Sequence, residues 1–236
     1  MAPERATAQV AVDCVVFGVQ LALPDHPDAD DRLMVLLVER GPAPFAGRMA
    51  LPGGFVLAGE GLKAAAEREL VEETGVKLTY LEQLYTFGAP ARDPRGRVLS
   101  VAWMALVRPS AHQLAPDTDA ADARWVPVAE APPLAFDHDT ILATALERLR
   151  GKVRWQPIGF DLLPPRFTLT WLQRLYEVIL EQTFDKRNFR RKVLKTGLLV
   201  DTGDRLTGVP HKPPALYAFD RDRYERLQTS GFSFEL

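Results

Sequence analysis

Cysteine is all but absent: Cys14 stands alone among 236 residues. That excludes an intrachain disulfide and any metal cluster built from cysteines. Cys14 sits in the apolar run Val10–Val16, where a lone thiol acts as a small buried hydrophobe. Long apolar runs are missing too, since none approaches the ~20 residues of a membrane helix, so no membrane partner is expected. The first residues, Met-Ala-Pro-Glu-Arg-Ala-Thr, lack the charged-then-apolar pattern of a secretion signal, and a cytoplasmic location is expected. A strong overall charge is also lacking, at −2. That balance conceals an asymmetry, because residues 1–165 carry 16 Lys and Arg against 22 Asp and Glu, whereas residues 166–236 carry 13 against 9. An acidic first part and a basic second part point to two tasks in one chain.

What is present is enough apolar material for a core, 47% of residues, in a pattern that alternates strand and helix. Gln9–Leu21 and Leu33–Glu39 read as strands, with a turn around Pro24–Pro27 between them. A loop over Gly41–Met49 leads into Pro52-Gly53-Gly54, and a helix is expected from Gly61 to Thr74, stopped by Gly75. Strands follow at Tyr80–Gly88, Val98–Val107 and Ala123–Val126, then a helix near Thr140–Arg150. Pro157, Gly159, Pro164 and Pro165 punctuate the stretch from Val153 to Arg166, which reads as a boundary. The expected domains are residues 1–155 and 166–236. In the second, helices at Thr170–Glu181 and Lys186–Thr196 precede a hairpin, Leu198–Thr202 with Ala215–Phe219, and a short helix near Arg221–Gln228.

Residues 53–77 run G-G-F-V-L-A-G-E-G-L-K-A-A-A-E-R-E-L-V-E-E-T-G-V-K. Glu69, Glu72 and Glu73 stand at i, i+3 and i+4, which puts three carboxylates on one helix face. Such crowding is unfavourable without positive charge, and Mg²⁺ or Mn²⁺, which prefer oxygen ligands and bridge carboxylate to phosphate, would compensate it. Arg68 lies beside the cluster, and Glu60, one loop earlier, can pair with it. Ala64, Ala65 and Ala66 are small enough to let the loop and a ligand approach. A solvated acidic helix would explain the glutamates alone. It would not explain Gly54, Glu60, Arg68, Glu69, Leu70, Glu72, Glu73, Gly75 and Val76 together, a set whose chance occurrence is of order 10⁻⁹ per window.

The segment Gly54–Val76 resembles the Nudix hydrolase signature at every position. The resemblance implies an α/β class fold, an α/β/α sandwich around a mixed sheet. It also implies dependence on Mg²⁺ or Mn²⁺ and attack of water on a diphosphate linkage. By position, Glu69, Glu72 and Glu73 are then expected as metal-binding carboxylates, with the backbone carbonyl of Gly54 beside them, and Arg68 as the residue that orients Glu69. A general base from outside the box is expected among Asp117, Asp119 and Asp122. The flanking phrases around Arg40–Phe55 and Arg92–Val98 are similar to ADP-ribose pyrophosphatases. They make Arg40, Arg48, Arg92 and Arg95 candidates for guanidinium contacts to phosphate or ribose. His138, in Phe136-Asp137-His138-Asp139, matches a recurring family position, as a helix cap or a ligand contact.

The basic part centres on K-R-N-F-R-R-K-V-L-K-T at Lys186–Thr196, with Asp185 as expected N-cap and Gly197 closing it. On a helical projection Phe189 and Val193 share the apolar side with Leu194 flanking, and Arg187, Asn188, Arg191, Lys192 and Lys195 fan over the other. An amphipathic partner helix carrying Leu172, Leu175, Tyr176 and Ile179 precedes it, joined by the tight turn Thr183–Asp185. The hairpin with Arg205, His211 and Lys212 in its loop would be a wing. A basic helix on an oligomerisation domain is the plainer alternative. The phrases F-T-L-T-W-L-Q-R-L-Y-E-V-I-L and F-D-K-R-N-F-R-R-K-V-L resemble the winged-helix domain of Nudix-related transcriptional regulators of NAD metabolism. That resemblance implies a small winged helix-turn-helix domain, double-stranded DNA as partner and a homodimer. Two functions are therefore expected together, hydrolysis of ADP-ribose or a similar nucleoside diphosphate derivative, and ligand-responsive regulation of transcription. The alternative is an inactive repressor that only senses ADP-ribose.

Overall fold

In the computed structural model, residues 6–23, 29–76, 80–109, 123–208, 212–229 and 234 are described. Asp117, Asp119, Asp122, His211 and the turn at residues 24–27 lie outside them. The chain divides into two compact units, residues 1–18 with 34–146 and residues 19–33 with 147–236.

The first unit is organised by β1 (Gln9–Gln20), whose residues from Ala11 to Val19 are all buried. A nearly continuous apolar strand needs cover on both faces, so β1 lies inside the sheet. It is flanked by β2 (Arg32–Glu39) and, in parallel, by β6 (Val98–Leu106). Beyond them lie β3 (Met49–Ala50) and β5 (Tyr80–Phe87), in the order β3-β2-β1-β6-β5. Two more strands branch from this path: β4 (Gly53–Phe55) pairs with β1, and β7 (Ala123–Pro127) pairs with β2. Strand β4 against β1, β3 and β7 against β2, and β5 against β6 all pair antiparallel, so the sheet is mixed.

Strands β3 and β4 interrupt the expected loop around Pro52. Two and three residues are too short to leave a period in the sequence, and their extended form comes from backbone pairing with β2 and β1. Helix α1 (Leu62–Thr74) covers one sheet face with Ala65, Ala66 and Leu70, against Val12, Cys14 and Val16 of β1. Side chains alternate along a strand, so Asp13 points the other way from Val12 and Cys14. The helix stops at Gly75, in the left-handed region at φ 70°, whose N–H donates to Val71 O.

Helix α2 (His138–Lys152) begins two residues before the expected Thr140 and buries Ile141, Ala145 and Leu149. The stretch after it is not a plain linker. Ile158–Leu162 forms a 3₁₀ turn that buries Ile158, Phe160 and Leu162, because apolar residues between the prolines have a core to enter.

The second unit holds α3 (Leu169–Leu180), α4 (Lys186–Lys195), the hairpin β8 (Leu199–Arg205) with β9 (Ala215–Phe219), and α5 (Arg221–Thr229). Thr168 caps α3 by accepting from Trp171 N–H at 3.1 Å, and Asp185 caps α4 by accepting from Asn188 N–H at 2.8 Å. Leu172, Leu175, Tyr176 and Ile179 of α3 are fully buried, as are Phe189 and Val193 of α4. Leu194, expected to flank that stripe, is 44% exposed. Phe167 bridges to Tyr217, which adds an edge to the hairpin. Arg174 grips residues 19–33 of the same unit, forking onto Asp31 and donating from Nη1 to Ala22 O at 2.9 Å.

Phe189 meets the rings of Phe184 and Tyr176 at 5.5 and 6.0 Å. Replacing it by Ala should destabilise the second unit by about 3–5 kcal/mol, read by urea unfolding with Trp171 fluorescence. Leu194→Ala should stay within about 0.5 kcal/mol. Similar losses for the two would contradict the packing described.

Candidate functional site

The residues of the glycine-rich segment and of α1 meet around one cavity of about 310 Å³, lined among others by Gly54, Glu69, Glu72 and Glu73. Backbone pairing puts them there: Gly53 and Gly54 lie opposite Asp13 and Val12 of β1. Gly53 is required by close approach to the β1 backbone, whereas Gly54 abuts the carboxylate end of Glu69. A Cβ on Gly53 would stand 2.1 Å from Val12 O, and one on Gly54 would stand 2.3 Å from Glu69 Oε1.

Arg68 ties the acidic groups together. Its Nε and Nη2 donate to the two oxygens of Glu60 at 2.8 and 3.0 Å. Nη1 reaches Glu69 Oε1 at 2.8 Å and Glu72 Oε2 at 3.1 Å, and Nη2 also reaches Phe55 O at 3.2 Å. The Glu60 hydrogen bonds, followed by those of Glu69 and Glu72, outweigh desolvation and raise the guanidinium pKa further. Glu60 is lowered by the same contact with Arg68.

The remaining carboxylates are under-compensated. Burial, with Glu72 and Glu60 adding, raises Glu69 despite Arg68. Burial pushes Glu73 up to about 7, with Glu69 and Asp13 adding to it, against the Gly53 N–H and Arg40 that oppose the shift. Gly53 N–H donates to Glu73 Oε2 at 2.8 Å. An all-oxygen donor set with surplus negative charge fits a hard divalent cation. Among the described residues, no three acidic or histidine groups are placed to hold a metal ion together; Arg68 and Gly53 N–H are the partners of the glutamates.

The four candidate arginines separate. Arg40 and Arg95 line the cavity, and their guanidinium carbons lie 4.7 and 5.5 Å from the Phe136 ring centroid. Arg95 also lies over Phe55 at 5.3 Å and is paired with Asp93. Arg92 lines the cavity, but Nε and Nη2 donate to Asp137 and Nη2 also to Asp13. Its charge is thus balanced within the wall by these two carboxylates. Arg48 is not in the lining; it lies over Phe45 and donates to Pro133 O at 3.3 Å.

His138 is the first residue of α2. Its Nδ1 accepts from Leu51 N–H at 2.9 Å, and Nε2 stands 3.3 Å from Asp13 Oδ1. Asp13 went unnoticed in the sequence, where it could have been found as the one charge in an otherwise apolar strand. Burial alone would raise its carboxyl, but His138, Arg92 and Ser100 together hold it well below the usual carboxylate range.

On α4, Arg187, Asn188, Arg191, Lys192 and Lys195 are all exposed, opposite the buried Phe189 and Val193. Arg191 Nη2 donates to Asn188 Oδ1 at 2.7 Å. This is one continuous polar and cationic face of the kind that meets nucleic-acid phosphates. In the hairpin, Arg205 is paired with Asp201, and Lys212 is exposed. No helix among the described residues is long and apolar enough to cross a membrane.

Comparison with known proteins follows this division. Residues 9–148 match the NUDIX domain and residues 159–219 the NrtR DNA-binding winged helix domain. The ADPR responsive transcriptional repressor NtrR of Acinetobacter baylyi is 36% identical over 220 residues, covering 92% of this chain and 84% of that protein. An ADP-ribose pyrophosphatase of Methanocaldococcus jannaschii is 40% identical over 108 residues, covering 46% of this chain and 63% of that protein. The crystal structure of Shewanella oneidensis NrtR complexed with a 27mer DNA superposes with a TM-score of 0.78 at 35% identity, covering 95% and 97% of the two chains.

Glu73 makes stability depend on pH in a definite direction. Its carboxyl binds a proton up to about pH 7 when folded, against 4.5 as its ordinary value. A raised carboxyl favours the folded state fully below the unfolded value and loses that contribution as pH rises through the folded one. Metal-free Glu73→Gln protein should therefore gain stability relative to the parent between pH 5 and pH 7.5, measured by urea unfolding. A difference that does not change with pH would contradict the assignment.

Proposed function

The chain belongs to the Nudix domain family and carries an NrtR DNA-binding winged helix domain, and on that premise we propose that it does two things. It hydrolyses a nucleoside diphosphate derivative, ADP-ribose first, with a divalent metal. It also regulates transcription in response to that ligand, in NAD metabolism. Residues 1–155 and 166–236 are taken as the two functional modules, working in the cytoplasm as a homodimer. The relatives named for ADP-ribose response and ADP-ribose pyrophosphatase activity support the choice of ligand.

The observation that carries hydrolysis is the intact acidic site: Glu69, Glu72 and Glu73 line one cavity while Glu60 secures Arg68 beside them. Glu69, Glu72, Glu73 and the Gly54 carbonyl are the groups that would hold Mg²⁺ or Mn²⁺. The ion would neutralise the diphosphate and make bound water a better nucleophile. Arg68 keeps Glu69 and Glu72 on the cavity side of α1. Arg40 and Arg95, beside Phe136, present cationic and aromatic surface suited to phosphate and a nucleobase. Water adds to one phosphorus and the bridging P–O bond breaks, which yields AMP and ribose 5-phosphate. Asp117, Asp119 and Asp122 remain the candidates for the base.

The cationic face of α4 carries the DNA reading, through Arg187, Arg191, Lys192 and Lys195 on phosphates and Asn188 on a base edge. A second reading keeps DNA binding and ligand sensing without turnover. It is favoured by one observation, that the relative matched over 92% of this chain is an ADPR responsive transcriptional repressor.

Incubation with ADP-ribose and Mg²⁺ should release AMP, and Glu73→Gln should lower the rate at least about a hundredfold without loss of fold. No AMP from the parent would leave only the sensing role. Arg191→Ala should weaken binding to a promoter duplex and flatten its salt dependence, by about 0.9 in log–log slope for a lost phosphate contact. If the parent prefers no promoter sequence over random duplex at physiological salt, the regulatory reading fails.

A further inference from the structure

The cavity wall contains a buried polar chain that the hydrolytic reading leaves without a task. Asp13 and His138 are both almost fully buried, which is costly for polar groups unless their bonds are satisfied. Here they are. Asp13 accepts from Arg92 Nη2 at 3.0 Å and from the Ser100 hydroxyl, and it faces His138 Nε2. His138 Nδ1 accepts from a backbone N–H, that of Leu51. A nitrogen that accepts from an amide carries no proton, so the ring proton is on Nε2, directed at Asp13.

Leu51 begins the segment that matters. The next residue, Pro52, accepts from Cys14 N–H at 2.8 Å. The one after, Gly53, has no room for a side chain against Val12 O, and its N–H holds Glu73 Oε2. Three consecutive residues are thus fixed in turn by the imidazole, by β1 and by the carboxylate.

We propose that Asp13 and His138 are positioning residues for the acidic site: Asp13 sets the tautomer and angle of the imidazole, His138 pins Leu51, and the pinned segment aims the Gly53 amide at Glu73. The idea rests on the reading of Glu73 as a metal-binding carboxylate. Both residues lie in the cavity wall, and in this role they act through the backbone. Arg92 completes the arrangement by holding Asp13 charged from the other side, with Asp137 balancing it.

Two isosteric replacements separate the halves of the relay. In His138→Asn the amide oxygen stands where Nδ1 was and still accepts from Leu51. In His138→Gln the side chain can still donate to Asp13, but no acceptor is left for Leu51. The full-length protein and both variants are compared by amide hydrogen exchange at Leu51 and Gly53, by titration with Mn²⁺ alone read by electron paramagnetic resonance, and by thermal melting. His138→Gln should speed exchange at both amides at least about tenfold and weaken Mn²⁺ binding by roughly tenfold or more. His138→Asn should stay within about threefold of the parent on both, the rescue that a general loss of packing would not give.

Parent-like exchange and Mn²⁺ affinity in His138→Gln would overturn the proposal, as would equal losses in the two variants. If His138→Gln does not fold, the tautomer in the parent decides, by long-range ¹H–¹⁵N correlation of the imidazole; a proton on Nδ1 overturns the relay. A parent that binds no Mn²⁺ at all removes the metal reading of the cavity, and the exchange ratios then judge the positioning by themselves.

Discussion

The contacts of the Arg68 guanidinium are the constraint on which the acidic site depends. One planar cation meets Glu60 from the preceding loop, Glu69 and Glu72 from its own helix and the Phe55 carbonyl from β4. A lysine would offer a point charge and could not serve four partners in a plane. The fork therefore locks loop, strand and helix into one wall. It also leaves a deficit, because one positive charge faces three carboxylates directly and Glu73 stands behind them. Burial first, and the neighbouring carboxylates after it, raise the proton affinity of Glu69 and Glu73. A cation delivered with a diphosphate would relieve the deficit, which is why acidic crowding and a proposed metal–phosphate ligand belong together.

The opposite wall solves a different problem. A charged residue inside the otherwise apolar β1 would be expensive unless it were bonded on every side. Asp13 is so bonded, by Arg92, Ser100 and His138, and its carboxyl stays ionised. The same arrangement engages Arg92 inside the wall, much as Asp93 engages Arg95, while Arg40 and Arg95 stay beside Phe136 at the cavity. An arginine count along the sequence therefore overstates the positive charge available at the mouth.

The second unit works by segregation rather than by convergence. Phe189 and Val193 bury one stripe of α4, and the polar residues that remain must share the exposed arc. Asn188, the residue best suited to an adenine edge, is bonded to Arg191. The Asn188 amide keeps a second lone pair and both its donors free of that contact.

Local features were legible without a structure. The helix over α1, its stop at Gly75, the cap at Asp185 and the split of α4 into buried and cationic faces depend on spacing within one or two turns. The pairing of Glu60 with Arg68 was accessible for the same reason, being eight residues apart across a single loop. By itself the sequence determined which residue types share a face, where helices start and stop, and that a carboxylate cluster of this spacing requires compensation. Only the tertiary structure decided that Asp13, Arg92 and His138 meet, from positions up to 125 residues apart, that Arg92 belongs to the wall, and that β3 and β4 exist as strands. Those outcomes rest on backbone pairing between distant segments and on burial, which remove side chains from solvent and choose their partners. A periodic pattern reports on neighbours along the chain, whereas a buried charge is assigned its role by whatever the fold brings within hydrogen-bonding distance.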